Sequence, residues 1–514
     1  MDHNIWISFP KAISLVGYLI IAYFIHITLL KPTLNLLHKI YHYHGLHCLP
    51  KNFLFGHLKL LSPNFPFPSN MEDISRNMYT WFEQTISTNK DRSLSVMWLG
   101  LFPVIIISDH AAVEAVMTKT NVKKPFFYKY IGLKNGLITS DPSLWKIRRK
   151  AIEPFFVTKR QKHFVKLMEQ EIREIPEKLL NQIDKPIDME HLIHTSTLRI
   201  IERVVGSIPL DDLKEEKEIT LDLLTSIEQI AMKRAMNPLL WFDILINFFE
   251  TGKSYLKNLE RIETLMHSYM EHRKKVITLS PPKQPEEYDL VHLLEKHTDQ
   301  TGTLEELVTS IAAGHETVSV SLRWTLFSLG NHPEIQERLY HEIIEHFPGD
   351  TPTDDFDKIN ACTYLDKFLK ESLRLNPPVH FIGRVLDEDI KVNGTKIFKD
   401  TNIFICITST HRDPSIYPDP DKFDPERWNP ENSSKIPKSA FIPFGYGPRN
   451  CIGYRYAMME LKVYLIHILR KFSMKSTRTS ESIPLKSEIS LKPALPLEII
   501  LTTRHNINQE MKDL

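Results

Sequence analysis

Cysteine is scarce in this chain. Its 514 residues hold only four (Cys48, Cys362, Cys406 and Cys451), and no two form a Cys-x-x-Cys pair. That excludes a disulfide-stapled scaffold and a structural zinc cluster, and it fits a reducing compartment. Net charge is nearly absent as well. Lys and Arg number 64 against 63 Asp and Glu, so composition gives no argument for a nucleic-acid partner. There is no internal repeat and no low-complexity tract. No glycine-rich dinucleotide fingerprint opens a strand–helix unit, so the chain shows no nicotinamide or flavin site of its own. What is present is ample apolar material. At 42% hydrophobic, the chain can bury a large core as one big domain or as two or three ordinary ones.

The apolar material is concentrated at the N-terminus. Residues 12–30 contain no Asp, Glu, Lys or Arg. As a helix rising about 1.5 Å per residue, they nearly span a hydrocarbon layer of about 30 Å. Lys31 and Pro32 follow instead of a small-residue cleavage site, which predicts a retained anchor over residues 1–30. Asp2 and Lys11 precede the span, whereas Lys31, Lys39 and Lys51 follow it, so the body is expected on the cytoplasmic side. His38, His42, His44, His47 and Cys48 offer no second ligand pair at a zinc spacing. With Tyr41 and Tyr43 they read as an interfacial belt in a proline-containing segment over residues 31–60.

Further along, residues 93–108 read as a β-hairpin with Pro103 in its turn. Asp141-Pro142 opens a short helix that Pro154 stops, with Trp145 and Arg149 on one face. Residues 160–275 are mostly helical and charged, without visible chemistry, and 274–287 form a surface loop. A capping-box pattern at Thr303 and Glu306 predicts a long helix to Gly330. Inside it Gly314 costs about 1 kcal/mol relative to Ala, so something should need the space. Thr317 either back-bonds to the Ala313 carbonyl or serves chemistry, and both readings stay open. Another helix opens at Thr363, carries Glu371 and Arg374 on one face, and ends at Asn376-Pro377. Asn393-Gly394 turns a hairpin, and residues 480–505 are β-like.

The stretch that organises the chain is 441–460. Phe444, Gly447, Arg449, Cys451 and Gly453 stand where a glycine-rich loop gives way to a helical pattern. A thiolate at a helix N-terminus is favoured by unsatisfied N–H groups and the helix dipole, which suits cysteine as a lone anionic metal ligand. Gly447 would allow close backbone approach, and Gly453 would let a flat group lie against the helix. Arg449 can pair with a carboxylate, and Phe444 can shield the sulfur.

The spacing F-x-x-G-x-R-x-C-x-G resembles the haem-thiolate loop of the cytochrome P450 family. Four more signatures resemble that family and occur in its order: Trp145-x-x-x-Arg149, Ala313-Gly314-His315-Glu316-Thr317, Glu371-x-x-Arg374 and Pro425-Glu426-Arg427-Trp428. Asn135–Trp145 and His332–Glu337 look most like the microsomal clan that contains fatty-acid ω-hydroxylases. The resemblance implies a mainly α fold with small β-sheets (α+β) over residues 61–514, preceded by one transmembrane helix. Cys451 would ligate haem iron. Trp145, Arg149, Arg384 and Arg449 would serve the propionates. Glu316 and Thr317 would deliver protons during O2 activation, and Arg427 would complete a triad with Glu371 and Arg374. Many clan members carry a Glu that esterifies the haem where this chain has Ala313, so non-covalent haem b is expected. Electrons would come from NADPH-cytochrome P450 reductase, with cytochrome b5 as a further donor. Lys146, Arg148, Lys150, Arg455 and Lys462 are candidates for the docking face. The implied activity is monooxygenation of an apolar small molecule (a fatty acid, hormone-like lipid or xenobiotic) at the endoplasmic reticulum membrane. A haem-thiolate isomerase or dehydratase acting on peroxides, and a non-catalytic haem binder, are the alternatives.

Overall fold

The computed structural model describes residues 31–51, 56–61, 71–89, 94–99, 101–119, 123–208, 214–236, 238–241, 243 and 246–504. The anchor expected over 12–30 lies outside them. Among the described residues no helix is long and apolar enough to cross a membrane.

The chain is mainly helical with small sheets, as expected. Helix α1 (Lys31–Tyr43) is not an interfacial belt. Its Tyr43 is fully buried, shares a hydrogen bond with Thr401 Oγ1 at 3.1 Å and accepts one from the Phe398 N–H at 2.9 Å. His38 and His42 pack on the Phe398 ring. Of the residues expected in a belt, Tyr41, His38 and His44 remain exposed.

Strands β1 (Leu94–Leu99) and β2 (Phe102–Ile107) form the predicted hairpin, but Pro103 lies inside β2, opposite Trp98. Proline is tolerated there because the parallel ladder from β2 to the later strand β4 (Asn402–Cys406) starts only at Val104. Strand β3 (Phe381–Val385) completes the sheet antiparallel to β4. The 390–397 hairpin turns through Asn393 and Gly394, both at positive φ, as an Asn-Gly turn demands.

Four helices carry most of the later argument. They are α2 (Pro142–Ile152), α3 (Glu190–Gly206), α4 (Lys214–Met236) and α5 (Gln300–Asn331). Helix α5 starts three residues before Thr303. Its N-cap is Asp299, whose carboxylate accepts from the Gly302 N–H at 2.8 Å. Glu306 makes no capping box; it pairs with Arg148 at 2.9 Å instead. From Val318 to Leu329 every residue is buried, the mark of a core helix rather than an amphipathic surface one. Helices α6 (Thr363–Leu375) and α7 (Tyr454–Lys471) pack against it. On α7 the predicted stripe of Leu461, Tyr464, Leu465, Ile468 and Leu469 is buried. A short hairpin of β5 (Leu485–Ser487) and β6 (Leu491–Pro493) reaches back toward α4 and α5.

Candidate functional site

The loop before α7 is held by its own backbone. Gly445 and Gly447 adopt left-handed φ of 74° and 71°. At Gly447 an added Cβ would stand 2.1 Å from the Met117 carbonyl oxygen, so the close approach is made by protein backbone and only glycine fits. The Cys451 N–H donates to the Phe444 carbonyl at 2.7 Å. Arg149 of α2 fixes the loop from the side, donating to the Asn450 carbonyl at 2.7 Å and to its Oδ1 at 3.1 Å.

Cys451 is exposed in surface area although its thiol lies deep in the protein, because it opens onto an internal cavity of about 310 Å3. Burial raises the thiol pKa, while the Gly453 N–H and the Arg149 charge pull it down. The thiolate-favouring effect read from the sequence is therefore present but outweighed. A metal that binds this sulfur must displace its proton.

The same cavity is lined by Phe444, Gly453, Trp145, Arg149, Arg384 and Arg449. Arg449 stacks over the Trp145 ring at 4.8 Å and donates to the Ser140 carbonyl at 2.7 Å. Arg384 is buried and bonds the Gly383 carbonyl at 2.8 Å. Lys124, which no sequence motif marks, lines the cavity beside them; burial, then Arg384 and Arg449, push its pKa far below the usual lysine value. Among the described residues no carboxylate pairs with Lys124 or Arg384. A cation cluster of this kind needs a dianion, and haem carries two propionates. Gly453 agrees with that fit. A Cβ there would meet only Phe156 Cε1, at 3.8 Å, so no protein atom requires the glycine while a flat group filling the cavity would. The residues present fit a haem.

Helix α5 forms the opposite wall. Thr317 lines this cavity and a second, apolar one of about 300 Å3, and Lys124, Ile138, Ala313, Val379 and Ile382 are common to both. Its hydroxyl donates to the Ala313 carbonyl at 2.7 Å, the local bond anticipated from sequence. Gly314 does make room, but for Ile201 of α3, whose Cδ1 would stand 2.7 Å from a Cβ.

Glu316 reaches only the second cavity, where a buried ionic cluster meets it. Lys492 of β6 lies 2.7 Å from Glu228, 3.0 Å from Glu316 and 3.2 Å from Glu488. Ser490 donates to Glu316 at 2.8 Å, and His194 and His315 share a hydrogen bond at 3.0 Å. Burial opposes ionisation of Glu316, yet Lys492, His194, His315 and Ser490 hold its pKa down to about 2. Glu228 goes the other way, pushed up to about 7 by burial with Glu316 and Glu488 nearby. His194, His315 and Glu316 are also the one His/Cys/Asp/Glu group among the described residues close enough to share a metal ion. Glu228 and His194 lie within 160–275, the stretch that shows no chemistry in sequence. Their partners are far away along the chain, so no local signal marks them.

The triad forms. Arg374 makes a bidentate pair with Glu371 at 2.8 and 2.9 Å, both fully buried, and Arg427 stands 3.4 Å from the same carboxylate. The Trp428 indole N–H adds a bond to Glu371 at 3.0 Å. The basic docking set shrinks. Arg148 is buried between Glu305 and Glu306, and Lys462 is buried against Asp366 at 3.1 Å. Lys146, Lys150 and Arg455 remain at the surface.

Residues 62–501 match the family described as Cytochrome P450. The chain is 30% identical over 481 residues to cytochrome P450 4V2 of Mus musculus, covering 88% of each chain. It is 30% identical to cytochrome P450 4c21 of Blattella germanica, over 83% of this chain and 88% of that one. Leukotriene-B4 omega-hydroxylase 3 of Mus musculus is 28% identical, over 87% and 88%. These relatives match the likeness to the ω-hydroxylase clan read from the motifs. With a lone cysteine and a threonine-bearing helix on the walls of one cation-rimmed cavity, the chain belongs to the cytochrome P450 family of haem monooxygenases.

Proposed function

We propose that this protein inserts one oxygen atom of O2 into a C–H bond of an apolar, lipid-like substrate, using NADPH electrons delivered by NADPH-cytochrome P450 reductase, with cytochrome b5 as a second donor. The observation that carries the reading is that the two cavities share Thr317 and Ala313 in their walls. One has the sulfur and the cations, and the other has an apolar wall that includes Leu99, Phe127, Leu224, Ala231, Met232 and Phe404. Haem b bound there through Cys451 would supply O2 activation.

The chain's own residues do the rest. Lys124, Arg384, Arg449, Trp145 and Arg149 would hold the propionates, and Phe444 would cover the sulfur. Gly447 and Gly453 give the loop and the ring their room. Thr317 offers its hydroxyl at the junction of the cavities, and the apolar wall excludes water. Glu316 is a carboxylate at neutral pH, so handing on a proton requires it to leave Lys492. Ala313 leaves the haem without an ester link, so acid–organic extraction should release it intact. Lys146, Lys150 and Arg455 support a reductase face on the cysteine side, where Arg149, Asn450, Tyr454 and Arg455 border a further opening onto Cys451. Residues 1–30 anchor the protein in the endoplasmic reticulum membrane, residues 31–60 lead from that anchor, and the catalytic body over 61–514 faces the cytoplasm.

The test is spectroscopic and chemical. The purified protein should give the reduced-CO Soret band of thiolate ligation, and Cys451→Ala should lose it; persistence of that band in the variant would move the ligand elsewhere. Hydroxylated product should depend on reductase and NADPH. Turnover of peroxides without either would turn the reading to an isomerase.

A further inference from the structure

The polar groups of the upper cavity are not scattered. Apart from Lys124 and Tyr128 on the haem side, its ionisable lining is Glu228 of α4 together with His315 and Glu316 of α5, joined by Ser490 from the β5–β6 hairpin. Behind this lining stands Lys492, which donates to Glu228 at 2.7 Å and lies 3.0 and 3.2 Å from the Glu316 and Glu488 carboxylates. The acidic groups outnumber Lys492, although burial leaves Glu228 partly protonated near neutral pH and Lys486, 3.8 Å from Glu488, offsets part of the remaining charge. A second carboxylate-bearing molecule entering this end would meet like charge in a low-dielectric wall.

One buried group in the wall lacks a partner. His315 is 2% exposed, its Nε2 is engaged by His194, and its Nδ1 has no hydrogen-bond partner among the described residues. An orphaned polar atom in a buried wall is unfavourable until a ligand meets it. Burial holds this imidazole neutral, with a pKa of about 3, so it cannot become the counter-ion of an acid. A hydroxyl both donates and accepts, so it satisfies Nδ1 in either tautomer and can also donate to a Glu228 oxygen. A carboxylate only accepts.

We infer that the substrate is a lipid carrying a neutral hydroxyl, held at the Glu228–His315 end of the cavity, and that free fatty carboxylates are rejected there. This rests on the haem-monooxygenase reading above, and it narrows the substrate class.

The experiment is a substrate-binding spectral titration of the full-length holoprotein with matched alkyl alcohols, carboxylic acids and alkanes of octyl, dodecyl and hexadecyl length. At neutral pH the alcohol should bind about tenfold tighter than the acid of the same chain, on the scale of one buried hydrogen bond. His315→Phe keeps a ring of similar size. It should bring the alcohol down to the affinity of the alkane while alkane binding stays unchanged. Glu228→Gln removes the partial negative charge that Glu228 carries near neutral pH and should improve acid binding. Equal or tighter binding of the acids by the unmodified protein overturns the inference, as does failure of every alcohol to bind. If the thiolate CO band is present in the same preparation, that failure belongs to the substrate class alone. Loss of the band would sink the haem reading itself.

Discussion

At Cys451 two opposed effects act on one sulfur. Burial favours the thiol, while the Gly453 N–H and Arg149 favour the thiolate. A cation bound to this sulfur would favour the thiolate by displacing its proton. Nine residues along, Glu460 of α7 is fully buried, with the Tyr456 hydroxyl as its polar neighbour. Burial raises its carboxyl to about 8, with Tyr456 acting in the opposite direction. A carboxyl whose folded pKa is raised contributes its full stability below the unfolded value of about 4.3 and loses it as pH climbs toward 8, at about 1.4 kcal/mol per pH unit. Glu460→Gln mimics the neutral acid and should flatten that slope. Thermal midpoints of both proteins from pH 5 to 9 check it, and parallel curves would mean Glu460 does not titrate in this window.

Helix α5 carries both a structural and a chemical duty along its length. Its C-terminal half is sealed in the core, whereas Ala313, Gly314 and Thr317 line the lower cavity. Thr317 donates its one hydroxyl hydrogen to the Ala313 carbonyl, so at rest it turns acceptor lone pairs to the cavity and must break that bond to donate there. Thr317→Ala should leave the fold and CO spectrum intact but divert NADPH oxidation away from product, lowering product per NADPH by roughly tenfold on the scale of general-acid catalysis. Unchanged coupling would remove Thr317 from proton delivery. The β5–β6 hairpin shows the converse case. Its six paired residues make a weak element alone, yet Lys492 ties it to α4 and α5 through the carboxylates of Glu228 and Glu316.

Across the whole molecule, the Glu371–Arg374 pair links α6 to the segment before the cysteine loop. Arg374 also donates to the carbonyls of His411, Pro420 and Lys422. Arg374→Ala would strand a fully buried carboxylate and should cost about 3–5 kcal/mol. Haem-loaded yield and thermal midpoint should fall together, and a near-normal midpoint would reduce the pair to a local ornament. At the other end of the chain, deleting residues 1–30 should shift the protein from membrane pellets to supernatant on fractionation. Full retention would assign membrane attachment to other segments.

What the sequence determined by itself was whatever is written locally. The cysteine loop, the Thr317 helix, the Glu371–Arg374 spacing and the Asn393-Gly394 turn each depend on neighbours within a few residues, where φ preference and helical periodicity act. Local patterns also misled, as at Thr303, where Asp299 was the better cap, and at Tyr43, whose core partners lie some 355 residues away. Only the tertiary structure decided which charges meet. Lys124 joins Arg384, and Lys492 joins Glu228 across 264 positions. Coulomb energy in a buried wall depends on distance in space, to which distance along the chain gives no guide.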